Sequence, residues 1–323
     1  MKRFTNILCV ITPGVDSKPA LERAVTLAEN NQAKLVVVAV VERIKAGIGL
    51  PAGGPVSDDL QAAVIRTRES ELAALLQPYH ERVDLQDKIL VGTPFLEIIR
   101  EVLRSGHDLV IKTAEKPDWQ RRLFGSDDMH LLRKCPCPVW LMRSEEKPNY
   151  RRILAAVDFD AWPDEGQEEA TNRLILELAS SLALSDFAEL HVVHAWVPIA
   201  ESAMRVFGSD LSEDAIAANV ERERRERQAR LERFVGRLRE WIGEETYGYL
   251  SPQIHLRQGS ARKEIPALAG EIGADLVVMG TVARTGIPGF IIGNTAEAIL
   301  SQIDCSVLAV KPEGFTTPVT VED

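Results

Sequence analysis

The 323-residue sequence has few aromatic residues (6%), only four cysteines, and no apolar run that approaches the ~20 residues of a membrane helix. We therefore expect no membrane contact. The net charge of −10 and the isoelectric point near 5.3 argue against nucleic acid as the main partner, because phosphate backbones attract basic surfaces. The four cysteines are scattered in or beside predicted buried strands, which favours reduced thiols and a cytoplasmic protein.

The N-terminus begins basic and then apolar, as a signal peptide does. Its apolar part is short, and Pro13-Gly14 ends it without a small-residue cleavage site. We expect this run to form a first buried strand.

Catalytic motifs are also scarce. The sequence contains no Gly-x-Ser-x-Gly, no His-Glu-x-x-His and no P-loop. No cluster of lysine and arginine suited to phosphoryl transfer can be identified. The sequence does not indicate efficient catalysis.

What the sequence does contain is a repeat of about half its length. Residues 107–111 correspond to 274–278, Gly125 corresponds to Gly293, and Cys137-Pro138-Val139-Trp140 corresponds to the run that begins at Cys305. A period this long indicates duplicated whole domains. We predict a first domain over 1–146, a second over 150–314, and a tail over 315–323.

Each copy alternates short apolar runs with amphipathic patterns, which is typical of parallel strands covered by helices on both faces. Right-handed crossovers then give an α/β, doubly wound, Rossmann-like domain with a five-stranded parallel sheet. In the second copy we expect one long helix over residues 213–242. Its charge run, Glu221 to Arg230, predicts a solvated face with glutamate and arginine spaced i,i+4.

A glycine-bearing loop follows the fourth strand of the second copy. The strand contains Met279 and ends at Gly280, and Gly293-Asn294-Thr295 opens the next helix. Glycine allows close backbone approach, hydroxyl and amide groups donate hydrogen bonds, and a helix N-terminus favours an anion. This order predicts a phosphate site, and the alternative is a plain turn with Asn294 as the N-cap.

Asp158 ends the first strand of the second copy, where its carboxylate would face the same edge of the sheet. It could accept ribose hydroxyls or hold a water of Mg²⁺, and the alternative is a turn former or helix cap. Arg284 in the loop could neutralise phosphate or simply be solvated.

This layout resembles the universal stress protein family in its tandem two-domain form, over nearly the whole chain. Nucleotide-binding members carry Gly-x-x-Gly, nine residues and Gly-Ser/Thr after strand 4. The match here is Gly280-Thr281-Val282-Ala283 followed by Gly293-Asn294-Thr295. The resemblance implies an adenine nucleotide alpha hydrolase-like fold that binds ATP or another adenine nucleotide, with Mg²⁺ as an optional companion. The implied binding residues are Asp158, Ala195, Met279, Gly280, Val282, Ala283, Arg284, Gly293, Asn294 and Thr295.

Two positions depart from the family pattern. Ala283 stands where the family has its second glycine, so any positive φ is disfavoured there. Asn294 replaces the usual Ser/Thr. The contact of Ala195 with adenine, through its backbone, is implied by the resemblance alone.

The first copy has lost most of these features. Thr12 takes the place of the strand 1 aspartate, and Thr113 replaces Gly280. Asp127 and Asp128 follow Gly125 at the helix start, where they would cap the helix and repel a polyphosphate. We predict one nucleotide per chain, although the Arg121-Arg122 pair keeps some anion binding open.

The resemblance also implies that strand 5 of each copy, Pro138 to Leu141 and Val307 to Val310, meet edge to edge in an intramolecular pseudo-dimer, which would cover exposed edges. Further homodimerisation stays open. The expected function is a stress response through nucleotide-dependent partner contacts. Alternatives are a weak ATPase or nucleotide hydrolase, and a carrier of an apolar metabolite under the loop from Val197 to Ser212.

Cys135-Pro136-Cys137, with His130 upstream, suggests a zinc site. One intervening residue gives poor chelating geometry, and no fourth ligand is evident. Buried structural cysteines are the favoured interpretation, and no metal ligand is assigned.

Overall fold

The computed structural model describes residues 4–44, 55–115, 126–145, 149–159, 167–198, 212–281 and 293–321. These residues form two compact units. The first contains the described residues up to 145 together with Thr281 and 306–321, and the second contains those of 149–280 and 293–305.

The first unit alternates parallel strands with helices. Its strands are β1 (Asn6–Ile11), β2 (Lys34–Val41), β3 (Leu85–Val91), β4 (Leu109–Thr113) and β5 (Val139–Met142). Its helices are α1 (Lys18–Asn31), α2 (Pro55–Leu76), α3 (Pro94–Ser105) and α4 (Ser126–Lys134), and a 3-10 turn, Gln77–Tyr79, follows α2. The strand order is β3-β2-β1-β4-β5, and all four pairings are parallel.

The second unit repeats this pattern. Its strands are β6 (Arg152–Ala156), β7 (Glu189–Trp196), β8 (Gln253–Gln258) and β9 (Leu276–Gly280). Its helices are α5 (Gln167–Asp186), α6 (Glu213–Gly236), α7 (Leu238–Ile242), α8 (Glu244–Leu250), α9 (Ala261–Ile272) and α10 (Asn294–Leu300). The strand order is β9-β6-β7-β8, again parallel.

The last strand, β10 (Ser306–Val310), belongs to the first unit. It pairs antiparallel with β5, so that Val307 lies opposite Leu141 and Ala309 opposite Val139. The predicted meeting of the two fifth strands is therefore confirmed. The first unit thus has one antiparallel strand beside its five parallel ones, and the pairing supplies hydrogen bonds to the backbone edge of β5.

The sequence produces these elements in a simple way. In β2, KLVVVAVV, every residue after Lys34 is buried, as expected of a strand covered on both faces.

The turns after β3 and β8 are the same in both copies. Gly92 and Gly259 have φ near +150°, a region that disfavours side chains, and a Cβ would meet Glu97 or Glu264 at 2.8 or 2.5 Å. The α/β fold class is confirmed.

One expected element is wrong. The single helix predicted over residues 213–242 is interrupted after Gly236, so that α6 and α7 are separate helices. A further short helix, α8, follows α7. Glycine weakens a helix interior, and Gly243, with φ +85°, separates α7 from α8. The apolar side chains of Leu231, Phe234 and Leu238 are buried on both sides of the interruption.

Candidate functional site at the strand ends of the second unit

The switch in strand order lies between β6 and β9. The chain proceeds from β6 through β7 to β8 on one side and then returns to β9 on the other. Ala156 pairs with Met279, so Asp158 and Gly280 follow adjacent strands at the same carboxyl edge. In open α/β sheets, ligands bind in the crevice at such a switch point.

The backbone of Asp158 is held by a side chain of α5. Asn172, which is 3% exposed, accepts the Asp158 N–H at 3.0 Å and donates its Nδ2 to the Asp158 carbonyl at 2.6 Å. Asp158 itself is exposed. This double hydrogen bond fixes the main chain just beyond β6, and the Asp158 side chain remains exposed at the carboxyl end of that strand.

Gly280 is the last residue of β9, and Met279 before it is buried. A Cβ on Gly280 would lie 3.6 Å from Thr171 Cγ2 and 4.0 Å from Ile175 Cδ1, which is ordinary contact. The backbone there has no positive φ. The described packing therefore does not require glycine at this position.

The next helix begins one residue earlier than predicted. Gly293 is the N-cap of α10, with φ −59° and ψ 134°, and no side chain caps this helix end. Asn294 and Thr295 are the first two helical residues, and both are exposed. The N-cap is therefore Gly293 and not Asn294.

Ala195 lies in β7, pairs with Arg257 in the neighbouring strand, and is half-buried. Val282, Ala283 and Arg284 fall outside the described residues. So do residues 199–211 of the predicted covering loop, and Gly125 and Arg121-Arg122 of the first copy.

Sequence reasoning missed His194, which precedes Ala195 and is 2% exposed. Its Nδ1 lies 3.3 Å from the Val157 carbonyl, and its ring stands edge-on to Phe159, with centroids 5.3 Å apart. Burial lowers the pKa of His194, while the Asp158 charge opposes that shift. A neutral imidazole that donates Nδ1–H to Val157 leaves Nε2 as an acceptor, and this buried atom has no hydrogen-bond partner among the described residues.

Two arginines of α6 stack on aromatic rings at this edge. The Arg230 guanidinium lies 5.0 Å from the Phe159 ring centre, and that of Arg227 lies 5.3 Å from Trp196. Arg227 also pairs with Glu223 at 2.7 Å, as predicted from the i,i+4 spacing. Both positive charges lower the pKa of His194, so they lie close to the strand ends. One side of α6 is therefore solvated, as predicted for the charge run, and Arg227 and Arg230 lie on the side that packs against the domain.

The corresponding edge of the first unit holds a buried ion pair. Lys112 Nζ, 1% exposed, lies 2.7 Å from Asp128 Oδ1 and 2.8 Å from Glu115 Oε1. Asp128 Oδ2 accepts the Glu115 N–H at 2.8 Å, and Thr113 is fully buried. The carboxylate that the sequence places near the helix start thus neutralises a lysine of the same unit.

Within the described ranges, no group of three or more histidine, cysteine or acidic side chains could hold a metal ion. None of the helices in those ranges combines the length and apolar character needed to span a bilayer. His130 stacks on Phe95, with ring centroids 4.3 Å apart.

Comparison with known proteins decides the family. The sequence profile described as "Universal stress protein family" matches residues 3–143 and again residues 149–311. The chain belongs to the universal stress protein family. The chain is also 30% identical to universal stress protein E of Escherichia coli strain K12 over 331 aligned positions, which cover 100% of this chain and 99% of that protein. A universal stress protein E homolog from Haemophilus influenzae is 29% identical and covers 96% of this chain, with 98% of its own length matched.

Solved structures agree with this membership. A crystal structure assigned to the family, from Pseudomonas aeruginosa UCBPP-PA14, is 27% identical, with a TM-score of 0.68, and covers 97% of this chain and 95% of its own. A universal stress protein from Archaeoglobus fulgidus is 18% identical, with a TM-score of 0.61 and coverages of 95% and 98%. The second likeness concerns the fold alone.

Proposed function

We propose that the protein is a cytoplasmic universal stress protein that binds ATP or another adenine nucleotide at the strand ends of its second domain. Nucleotide occupancy would then alter its contacts with partners in a stress response. The observation that carries the proposal is the meeting of Asp158 and Gly280 at the switch point between β6 and β9.

The chemistry of the edge supports an anionic, hydroxyl-bearing ligand. Gly280 leaves room for close approach although the described packing does not demand a glycine. Asn294 and Thr295 offer exposed polar side chains at the start of α10. Arg230 adds positive charge on the α6 side, and the exposed Asp158 suits ribose hydroxyls or a water of Mg²⁺. Val282, Ala283, Arg284 and Gly293 complete the proposed set by resemblance.

The same reasoning argues against a second nucleotide in the first domain. The Lys112 ammonium is already neutralised by Asp128 and Glu115. A polyphosphate would have to displace a buried carboxylate, and Asp127 would repel it. We therefore propose one nucleotide per chain.

Isothermal titration of the full chain with ATP, with and without Mg²⁺, tests the proposal. We expect one site per chain. Asp158→Ala removes about one polar contact, Gly280→Val removes space for the ligand, and each should weaken the affinity for ATP by about tenfold or more. The matched control is Thr12→Ala, the equivalent of the Asp158 change in the first repeat, which should leave affinity unchanged. Absence of binding up to millimolar ATP in the unmodified chain would overturn the proposal.

A further inference from the structure

Two thiols lie in contact in the first unit. Cys135 and Cys137 flank Pro136 between α4 and β5, and their Sγ atoms are 3.6 Å apart. Cys135 is fully buried, and Cys137 is 8% exposed. The two sulfur atoms share a hydrogen bond, and they must approach by about 1.5 Å to reach the S–S bond length of about 2.05 Å.

An ammonium group lies beside this pair. Lys311, directly after β10, is 5% exposed, and its Nζ donates to the Leu132 carbonyl and to Thr281 Oγ1 at 2.6 Å. No carboxylate of the described residues lies within ion-pair distance of it. Burial lowers the pKa of Lys311 to about 8, and the charges of Cys135 and Cys137 partly oppose this shift.

The surroundings shift the pKa values of the two thiols in opposite directions. Burial alone would raise the pKa of the Cys135 thiol, but hydrogen bonds from Cys137 and the Lys311 charge bring it below its usual value. The hydrogen bond to Cys135, together with burial, raises the pKa of Cys137 well above the ordinary range. Cys9 in β1 provides a contrast, because burial raises its pKa to about 12. Of the two thiols, Cys135 is therefore the one that loses its proton more readily, and thiolates are the reactive form.

We propose that Cys135 and Cys137 form a thiol-oxidation site that closes to an intramolecular disulfide on reaction with hydrogen peroxide. The Cys135 thiolate attacks one peroxide oxygen, the O–O bond breaks, and hydroxide leaves, so that Cys135 becomes a sulfenic acid. Cys137 sulfur then attacks Cys135 sulfur, the S–S bond forms, and the S–O bond breaks. The proton of Cys137 leaves with that oxygen as water. The two sulfurs lose two electrons, and the peroxide gains them.

The site is suited to a small oxidant. Cys135 is fully buried and Cys137 is 8% exposed, so the pair is more accessible to a small molecule such as peroxide than to a bulky disulfide reagent. Lys311 stabilises the thiolate before attack, and Cys137 is positioned to resolve the sulfenic acid before it oxidises further.

Peroxide treatment of the reduced full chain, followed by acid quench, unfolding, alkylation and peptide mass spectrometry, tests the proposal. We expect a disulfide within the Cys135-Pro136-Cys137 peptide, reversed by dithiothreitol. Its rate of formation should be at least about tenfold above the oxidation of buried Cys9, which has no second thiol in contact to resolve a sulfenic acid. This comparison needs no substitution. Equal rates at Cys9 and the pair, or sulfinic acid or intermolecular dimers as the main product, would overturn it.

Variants separate the roles. In a Cys9→Ser/Cys305→Ser background, Cys137→Ser should leave a sulfenic acid that dimedone traps. Lys311→Met should slow disulfide formation by about tenfold while Lys311→Arg retains the rate, because arginine keeps the charge. An unchanged rate in Lys311→Met would contradict the role of the ammonium, and circular dichroism checks that each variant is folded.

Discussion

Asn172 holds Asp158 by its backbone from both directions, accepting its N–H at 3.0 Å and donating to its carbonyl at 2.6 Å. The two residues lie 14 positions apart, one just after β6 and the other on α5. The pair therefore joins the strand end to the helix that covers it. This contact holds the main chain from which the exposed carboxylate of Asp158 projects.

Removal of this contact should cost stability as well as ligand affinity. Asn172→Ala leaves two main-chain groups of Asp158 without their partner, and we expect the free energy of unfolding to fall by about 1–3 kcal/mol. Urea denaturation measures the change. Asn219→Ala is the control, since Asn219 lies in α6 and its hydrogen bonds to described residues stay within its own helix, with the Ala215 carbonyl and Arg222. Equal effects of the two changes would contradict the positioning role.

The arginines of α6 offer a test of the ligand's charge. Arg230, stacked on Phe159, lies at the strand ends, whereas Arg225 is 74% exposed and pairs with Glu221 at 2.9 Å. Arg230→Gln should weaken ATP binding by about tenfold, because a charge-assisted contact contributes about 1.5 kcal/mol. Arg225→Gln removes the same charge from the same helix and should leave the affinity within about twofold. Titration calorimetry at fixed ionic strength distinguishes them, and equal losses would indicate only a general charge effect.

The sequence predicts the fold well because the information is local and repeated. Apolar runs such as β2 and the paired glycines Gly92 and Gly259 mark the same strand and turn in both copies. The functional edge depends on residues that are distant in sequence. The spacing of Lys112 and Asp128 in the sequence does not predict their pairing, because the pairing requires α4 to pack over the end of β4. The stacking of Arg230 on Phe159 likewise depends on how α6 packs, which the i,i+4 charge pattern does not reveal.

The buried ion pair of the first unit should be sensitive to loss of one partner. Asp128→Asn leaves Lys112 with Glu115, which is partly exposed, and we expect a loss of about 3 kcal/mol, near the lower end for a broken buried pair. The double change Lys112→Met/Asp128→Leu removes both charges and should recover most of the stability. Urea denaturation of the three proteins gives the comparison. A double variant no more stable than the single one would show that the pair's polar contacts are themselves needed.

Two stacked histidines of the second unit predict that the stability of the fold depends on pH. His191 Nδ1 lies 3.0 Å from His255 Nε2 across β7 and β8. Burial lowers the pKa of His191, and Glu189 partly opposes this. Burial lowers the pKa of His255 too, and the charges of His191 and Arg257 add to the shift.

The folded chain therefore holds these imidazoles neutral, while the unfolded chain takes up protons near pH 6.5. Above that pH neither state binds the extra protons, and the free energy of unfolding is at its full value. It should fall as the pH drops below about 6.5, because the unfolded chain then binds protons that the folded chain does not. His255→Gln should make that fall shallower between about pH 7 and 5. His80→Gln, at an exposed histidine, is the control. An identical pH profile for His255→Gln and the unmodified chain would contradict the prediction.

A phenylalanine in the left-handed region ends α5. Phe187 has φ +57° and is 79% exposed, and the equivalent residue of the first repeat, Gln32, has φ +55°. Glycine removes the Cβ penalty of about 1–2 kcal/mol but loses about 0.5–1 kcal/mol of chain entropy. We expect Phe187→Gly to raise the free energy of unfolding by about 0.5–1 kcal/mol, since little apolar burial is lost. Gln32→Gly should give a similar gain in urea denaturation. A loss of stability at Phe187 alone would mean that its exposed ring makes a contact in solution, and a change in sedimentation of the variant would then identify that contact as one between chains.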